Sequence, residues 1–123
     1  MPPVVWNFQD KTLVVKFVGN YTNDQLFGAF AEALMSAEYK TCATLLIDSR
    51  SSLMHASPEV LHERVKFIFD SVKGQISRIA VVRTPQHMAT PVGSAMELYR
   101  GFGMDARAFT DIEDAFAWLE AAA

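Results

Sequence analysis

The sequence predicts an α/β fold built on one mostly parallel sheet, and three observations predict it. Short apolar runs alternate along the chain with segments whose apolar residues recur at helical spacing. The runs at residues 43–47 and 79–82 are continuously apolar, which is typical of strands covered on both faces. Strands that alternate with helices imply right-handed crossovers and parallel neighbours. We expect about five strands and about four helices, in a single domain over residues 1–123.

The chain begins with a predicted β-hairpin. Residues 4–8 and 12–18 are rich in β-branched and aromatic side chains, and Asp10 and Lys11 between them have turn chemistry. This hairpin is the expected antiparallel exception in the sheet.

The first helix has a clear start signal. Thr22 and Gln25 have the spacing of a capping box, and the apolar stripe behind them predicts a helix to about residue 39. The strand at residues 43–47 follows and is expected to stop at Asp48.

A polar loop is predicted over residues 48–57, and a second helix follows it. Ser57 is its expected cap, Pro58 occupies the first helical position, and Gly74 is expected to close it.

The second half of the chain repeats the pattern. The strand at residues 79–82 ends at Arg83, and Thr90 with Pro91 gives another cap-plus-proline start. A short last strand is predicted at residues 106–109, and residues 110–113 have the spacing of a second capping box before the final helix.

Composition excludes several classes of protein. The net charge is −3, from 11 basic and 14 acidic residues without a basic patch, which disfavours nucleic-acid binding. The single cysteine, Cys42, excludes an internal disulfide and a cysteine-based zinc site, and it favours a reducing cytoplasm. No run approaches the ~20 apolar residues of a membrane span, and the first residues lack the pattern of a signal peptide.

Three segments carry a resemblance to a known family. They are residues 46–48, residues 78–82 and the closing pattern at residues 108–119. Together they resemble the STAS-like superfamily, in particular its SpoIIAA-like branch of anti-sigma-factor antagonists. The resemblance implies a small cytoplasmic domain that binds a protein partner, a nucleotide or an apolar ligand and performs no chemistry itself. It also places Ser57 where phosphorylated members carry their switch serine, although Ala56 replaces the preceding aspartate and the following glycine is missing.

Ligand sites in parallel sheets gather beyond the carboxyl ends of the strands. Two helix N-termini, at Ser57 and Thr90, are expected at that edge and would offer amide donors to an anion. The candidate ligand-binding residues at this edge are Asp48, Arg50, His55, Ser57, Arg83, His87 and Thr90.

Each candidate also has a structural interpretation. Asp48 would order its own loop through side-chain-to-backbone bonds, Ser57 would only cap its helix, and the two arginines would either hold a carboxylate or phosphate or stabilise their loops. His55 or His87 could join Asp48 in a catalytic or metal site, but no HExxH, HxH or GxSxG spacing supports one.

The sequence therefore predicts a non-enzymatic binding or regulatory module without metal or cofactor. It would recognise a protein partner or a small anionic ligand through loops 48–57 and 83–90. Two alternatives remain open: a carrier of an apolar ligand such as a lipid, and a small hydrolase or lyase that uses Asp48 with His55 or His87. A homodimer is a further expectation, because two-fold pairs are the commonest soluble assembly, although no sequence feature selects the face.

Overall fold

The computed structural model describes residues 2–52, 57–84 and 94–121. Over these residues the chain forms a five-stranded sheet in the order β1-β2-β3-β4-β5 and four α-helices. β1 and β2 are antiparallel and the other neighbours are parallel, so the predicted α/β class is confirmed. The strands are β1 (Val4–Gln9), β2 (Thr12–Gly19), β3 (Thr44–Ser52), β4 (Arg78–Val82) and β5 (Asp105–Phe109). The helices are α1 (Asn23–Met35), α2 (Pro58–Val72), α3 (Ser94–Gly101) and α4 (Ile112–Glu120), with a 3₁₀ helix at Ala37–Thr41.

The opening hairpin has the predicted two-residue turn. Gln9 pairs with Thr12, and the intervening Asp10 has a φ of 54°, in the left-handed region that aspartate tolerates better than most residues. The hairpin therefore places β2 in the sheet with one face of β1 packed on the core.

The helix starts follow the cap chemistry of the sequence, with one correction. Thr22 and Gln25 form the reciprocal capping box at the start of α1. The Ser57 hydroxyl accepts the Val60 N–H at 3.3 Å at the start of α2. At α4 the cap is Asp111 rather than the predicted Thr110 position, because the Asp111 carboxylate accepts the Glu113 N–H at 2.8 Å.

Helix α1 ends earlier than predicted. It stops at Met35, Ser36 takes an extended conformation, and the 3₁₀ helix occupies the residues that were expected to continue α1. Met35, the last residue of α1, is 87% exposed. The longest described helix, α2, has 15 residues. No helix within residues 2–52, 57–84 and 94–121 has the length and apolar character needed to cross a membrane.

The sheet separates two cores of unequal size. Alternate residues of a strand point to opposite faces, so Ile79 and Val81 of β4 join the larger core with α1, α2 and α3. Ala80 and Val82 join the smaller core with Ala115 and Leu119 of α4. Whether a residue at the carboxyl edge of the sheet faces the larger or the smaller core is therefore determined by its odd or even position along the strand.

Trp118, which belongs to the closing pattern at residues 108–119, contacts two arginines of the sheet. Its ring lies beneath two guanidinium groups, with Arg78 Cζ 4.7 Å and Arg107 Cζ 5.2 Å from the ring centroid. Arg78 also donates to the Trp118 carbonyl at 2.9 Å and pairs with Asp105 at 3.2 Å. These contacts fasten α4 to the ends of β4 and β5.

Candidate binding site at the carboxyl edge of the sheet

The two central strands meet at one edge, as the sequence predicted. β3 and β4 are parallel neighbours, and Asp48 of β3 is level with Val82 of β4. The Ser49 hydroxyl crosses between the strands and donates to the Val82 carbonyl at 3.0 Å. The segments after β3 and β4 therefore leave the sheet from the same edge.

β3 extends further than the sequence predicted. The strand was expected to stop at Asp48, but it continues to Ser52, because Ser51 and Ser52 pair with Val18 and Gly19 at the end of β2. A register shift between Lys16 and Val18 accommodates the extension. Residues 49–52 thus form a strand because their backbone pairs with β2, although their polar side chains predicted a loop.

Asp48 and Arg50 form a bidentate ion pair on that extended strand. Arg50 Nε donates to Asp48 Oδ1 at 3.0 Å and an Arg50 terminal nitrogen to Oδ2 at 2.9 Å, while the Arg50 backbone N–H donates to Oδ1 at 3.1 Å. The Asp48 side chain is only 5% exposed and that of Arg50 is 40% exposed. Because they are two residues apart on one strand, both side chains point to the α4 face.

The ion pair determines the protonation state of Asp48. Burial alone would raise the pKa of this carboxyl, but the hydrogen bonds and charge of Arg50, together with the charge of Lys16, hold the pKa below its ordinary value. The pKa of Arg50 is correspondingly raised, mainly by its hydrogen bonds to Asp48. Asp48 is therefore a satisfied anion, which supports its structural interpretation over that of a general base.

Arg83 points to the other face of the sheet. Its backbone N–H donates to the Phe109 carbonyl at 2.8 Å, so it continues the alternation in which Val81 faces the larger core. Its residue surface is only 6% exposed. Burial lowers the pKa of the guanidinium, and Tyr99 of α3 counteracts this effect only in part. The structure therefore does not bring Arg50 and Arg83 together.

A second buried arginine, which the sequence analysis missed, lies on the same face as Arg83. Arg64 of α2 is 6% exposed, its Nε donates to Asn23 Oδ1 at 2.7 Å, and its Cζ lies 4.5 Å from the centre of the Tyr21 ring. The signal for its burial was its position in the helix, because it lies three residues after Leu61 and four before Ile68, both on the apolar stripe.

The pKa values of two tyrosines respond to these arginines. Burial raises the pKa of both Tyr21 and Tyr99. The charge of a nearby arginine opposes this rise, Arg64 for Tyr21 and Arg83 for Tyr99. The charge of an ionised Tyr21 would raise the pKa of Tyr99 further.

Ser57 marks the N-terminus of α2 at the same edge. Its hydroxyl caps the helix and the residue is exposed, with Pro58 directly after it. His55, His87 and Thr90 lie outside the described residues. Within residues 2–52, 57–84 and 94–121, no three histidine, cysteine, aspartate or glutamate side chains are grouped so that they could hold a metal ion.

Comparisons with known proteins agree with this fold. No curated protein matches the chain. Among solved structures, an uncharacterized protein of the DUF3478 family from Shewanella loihica PV-4, described as having a SpoIIAA-like fold, is similar with a TM-score of 0.61. The two share 20% sequence identity over 94% of this chain and 91% of that one, a likeness that shows the fold alone. The SpoIIAA-like family model matches residues 12–120. The chain therefore belongs to the SpoIIAA-like family.

Proposed function

We propose that this protein is a non-enzymatic binding module of the STAS-like type, which recognises a protein partner or a small anionic ligand at the carboxyl edge of its sheet. The observation that carries the proposal is the parallel pairing of β3 and β4, from which two successive segments leave at one edge. The SpoIIAA-like fold supports a regulatory or binding role.

The electrostatics of the edge favour an anionic ligand or an acidic partner surface. Arg83 follows β4 there, and α2 begins there with its amide donors and the positive end of its dipole. Ser57 caps these amides, and a phosphate on its hydroxyl would lie next to the same positive end. Phosphorylation of Ser57 is thus part of the proposal as a regulatory input.

The hydrolase or lyase alternative has less support. It needs Asp48 as a base, and this carboxylate accepts three N–H groups from Arg50 and has a lowered pKa.

The remaining parts of the proposal concern location and assembly. Cys42 is a free, buried thiol, in keeping with the proposed reducing cytoplasm. We further propose that residues 1–123 act as one domain and that a homodimer forms.

The test is a screen for bound metabolites and cross-linked protein partners, followed by variants that separate the two faces of the edge. Arg83→Met removes the charge on the helix-rich face, and Asp48→Asn with Arg50→Gln neutralises the pair on the α4 face while keeping polar side chains. Lys73→Ala, at the opposite end of α2, is the matched loss of a basic group. Loss of binding in one edge variant but not in Lys73→Ala supports the proposal, and undiminished binding in both edge variants would contradict it.

A carrier of an apolar ligand is a second candidate. Half-buried phenylalanine rings pack between helices on the larger-core side, with Phe27 and Phe67 centroids 4.1 Å apart and Phe69 and Phe102 centroids 5.2 Å apart. In this candidate an aliphatic ligand would pack among these aromatic side chains. Native mass spectrometry of protein purified from cells should then show lipid adducts, and uniformly unliganded protein would count against this candidate.

A further inference from the structure

We infer that the free edge of β1 is a dimer interface, at which the β1 strands of two copies of this chain pair antiparallel and join the two five-stranded sheets into one. The inference rests on the proposed function, because it names the face through which the proposed homodimer forms.

β1 lies at one end of the sheet, with β2 as its neighbour on one side only. The Val18 N–H donates to the Pro3 carbonyl at 2.8 Å, which makes these two residues a hydrogen-bonded pair of the antiparallel ladder. Because hydrogen-bonded and non-hydrogen-bonded pairs alternate along such a ladder, the backbone groups of Val4, Trp6 and Phe8 point away from β2. In the described part of the chain no other element pairs with them, so they are available to a further extended strand.

β1 lacks the features that usually protect a free strand edge from pairing. Such edges carry lysine, proline or a β-bulge, whereas residues 4–9 contain no charged residue and no proline and pair with β2 without a register shift. Trp6 and Phe8 are only half-buried, and their ring centroids lie 5.7 Å apart. The edge therefore suits contact with another strand better than contact with water.

The opposite edge of the sheet, at β5, is protected. The Phe109 carbonyl bonds towards β4, so alternate residues of β5 do the same and Ala106 points outward. The Ala106 carbonyl accepts Arg100 Nε–H at 3.1 Å, and Asp105 and Arg107 place charges on the strand. A chain with one unprotected edge forms a closed pair rather than a fibre, and self-pairing leaves no open edge, which selects a second copy as the occupant.

The register of the pair follows from the outward-pointing residues. With the two-fold axis at Trp6, the two Trp6 residues are opposite each other, and Val4 is opposite Phe8 of the partner subunit, each pair joined by backbone hydrogen bonds. Val5 then lies opposite Asn7 of the partner subunit, on the other face of the sheet. No like charges meet, because the paired segment is uncharged.

Helix α1 lies beside the same edge and adds contact area. A stable interface buries about 800 Å² per partner, more than one six-residue strand supplies. α1 packs on β1 and α3 on β5, and Phe27 of α1 faces α2, where its ring centroid is 4.1 Å from that of Phe67. Ala29 is about 200° further round the helix and so lies on the side towards the free edge. Its small side chain, next to Gly28, allows the α1 helices of two copies to approach each other on the larger-core side.

This pairing leaves both carboxyl edges free. β2 to β5 are parallel within one copy, and the two-fold axis perpendicular to the joined sheet reverses their direction in the other. The proposed binding edges therefore lie at opposite ends of the joined sheet, where each can bind its own ligand or partner.

The test compares the wild type with the double variant Val5→Lys/Asn7→Lys, in which lysines of the two copies would face each other across the pair. Both side chains lie on the α4 face, and an edge strand tolerates lysine in the monomer. Sedimentation equilibrium from micromolar to millimolar concentration should show a wild-type dimer and a dissociation constant about 10-fold weaker, or more, in the variant. The matched control, Thr110→Lys/Ala117→Lys, adds the same charge at two exposed positions and should dimerise as the wild type does.

A charge-swap experiment identifies the interface directly. In a mixture of Val5→Lys/Asn7→Lys with Val5→Glu/Asn7→Glu, opposite charges face each other in the mixed pair and like charges in the unmixed ones. We expect mixed dimers that are tighter than either variant alone.

Amide hydrogen exchange on the wild type gives an answer even if the variants do not fold. The amides of Val5 and Asn7 bond to β2 in the monomer and in the dimer, so they should be protected at every concentration. The amides of Val4, Trp6 and Phe8 should become protected only as the dimer forms.

The inference is wrong if the wild type stays monomeric, if it dimerises with the amides of Val4, Trp6 and Phe8 unprotected, or if the lysine pair leaves the dimer unchanged. Protection of these amides that requires a different protein would also overturn it, because the edge would then take a foreign strand. The proposed function fails separately. A monomeric chain that binds its ligand and loses it in Arg83→Met retains the proposed binding edge without this dimer.

Discussion

Replacing Arg50 by glutamine tests whether Asp48 is a structural anion, and the structure gives the size of the effect. The change removes two of the three hydrogen bonds to the Asp48 carboxylate, those at 3.0 and 2.9 Å, and the positive charge. The backbone N–H at 3.1 Å remains. Breaking a fully buried pair costs about 3–5 kcal/mol and breaking an exposed one at most about 1 kcal/mol. With Asp48 buried and Arg50 partly exposed, we expect a loss of about 1–3 kcal/mol near neutral pH.

The pH dependence of this loss distinguishes an ion pair from simple packing. A carboxyl whose folded pKa is lowered contributes stability that is present above its unfolded pKa of about 3.9 and is lost as the pH falls through the folded pKa. In Arg50→Gln the Asp48 carboxyl stays buried but loses the hydrogen bonds and the positive charge of Arg50, so its pKa should rise. A protonated Asp48 carboxyl is neutral, so the loss of the positive charge of Arg50 costs it little. The difference between variant and wild type should therefore shrink as the pH falls from about 7 to about 4.

Urea unfolding at both pH values, followed by circular dichroism, measures the effect. The control is the same Arg50→Gln change in an Asp48→Asn background, where no carboxylate titrates. There the cost should be small and independent of pH. A cost of Arg50→Gln that is equal at both pH values, or undiminished in the Asp48→Asn background, would refute the ion-pair reasoning.

Three further predictions concern stability elsewhere in the fold. The Thr12 and Thr44 hydroxyls share a buried hydrogen bond of 2.8 Å, so valine at either position should cost about 1–3 kcal/mol and the double variant less than the sum, measured by a urea double-mutant cycle. Additive costs would show that the hydroxyls do not interact. Ser57→Ala should lower the free energy of unfolding by about 1 kcal/mol through loss of the α2 cap, and no change in the urea midpoint would contradict the cap. Phe30→Ala should cost about 3–5 kcal/mol in the same assay, because this fully buried ring fills the larger core; a cost below that of Ser57→Ala would be inconsistent with its burial.

The fold was predictable because each element carried a local signal. The continuous apolar runs predicted two buried parallel strands, and the capping residues Thr22 and Ser57 marked two helix starts. The end of β3 was not predictable in this way. Residues 49–52 are polar, and what makes them a strand is the length of β2 beside them, which is tertiary information.

The sequence was enough to predict that Asp48, Arg50 and Arg83 lie at one edge of the sheet, but not which face each one takes. Shared strand direction was enough to place Asp48, Arg50 and Arg83 at one edge. Assigning them to faces needed the true length of β3 and the register with β4, because a shift of one residue reverses the face. Arg64 was missed because an arginine on a helix is ordinarily read as solvent-exposed, even where its spacing puts it among apolar neighbours.

The two arginines of the predicted site differ in what an incoming anion would gain from each. Arg50 already forms a short bidentate pair with Asp48, so a ligand would have to compete with a carboxylate attached to the same strand. Arg83 is 6% exposed, and burial lowers the pKa of its guanidinium. A methionine would fill a similar volume without this desolvation cost. Arg83→Met therefore separates the charge of Arg83 from its packing in the test of the proposed binding edge.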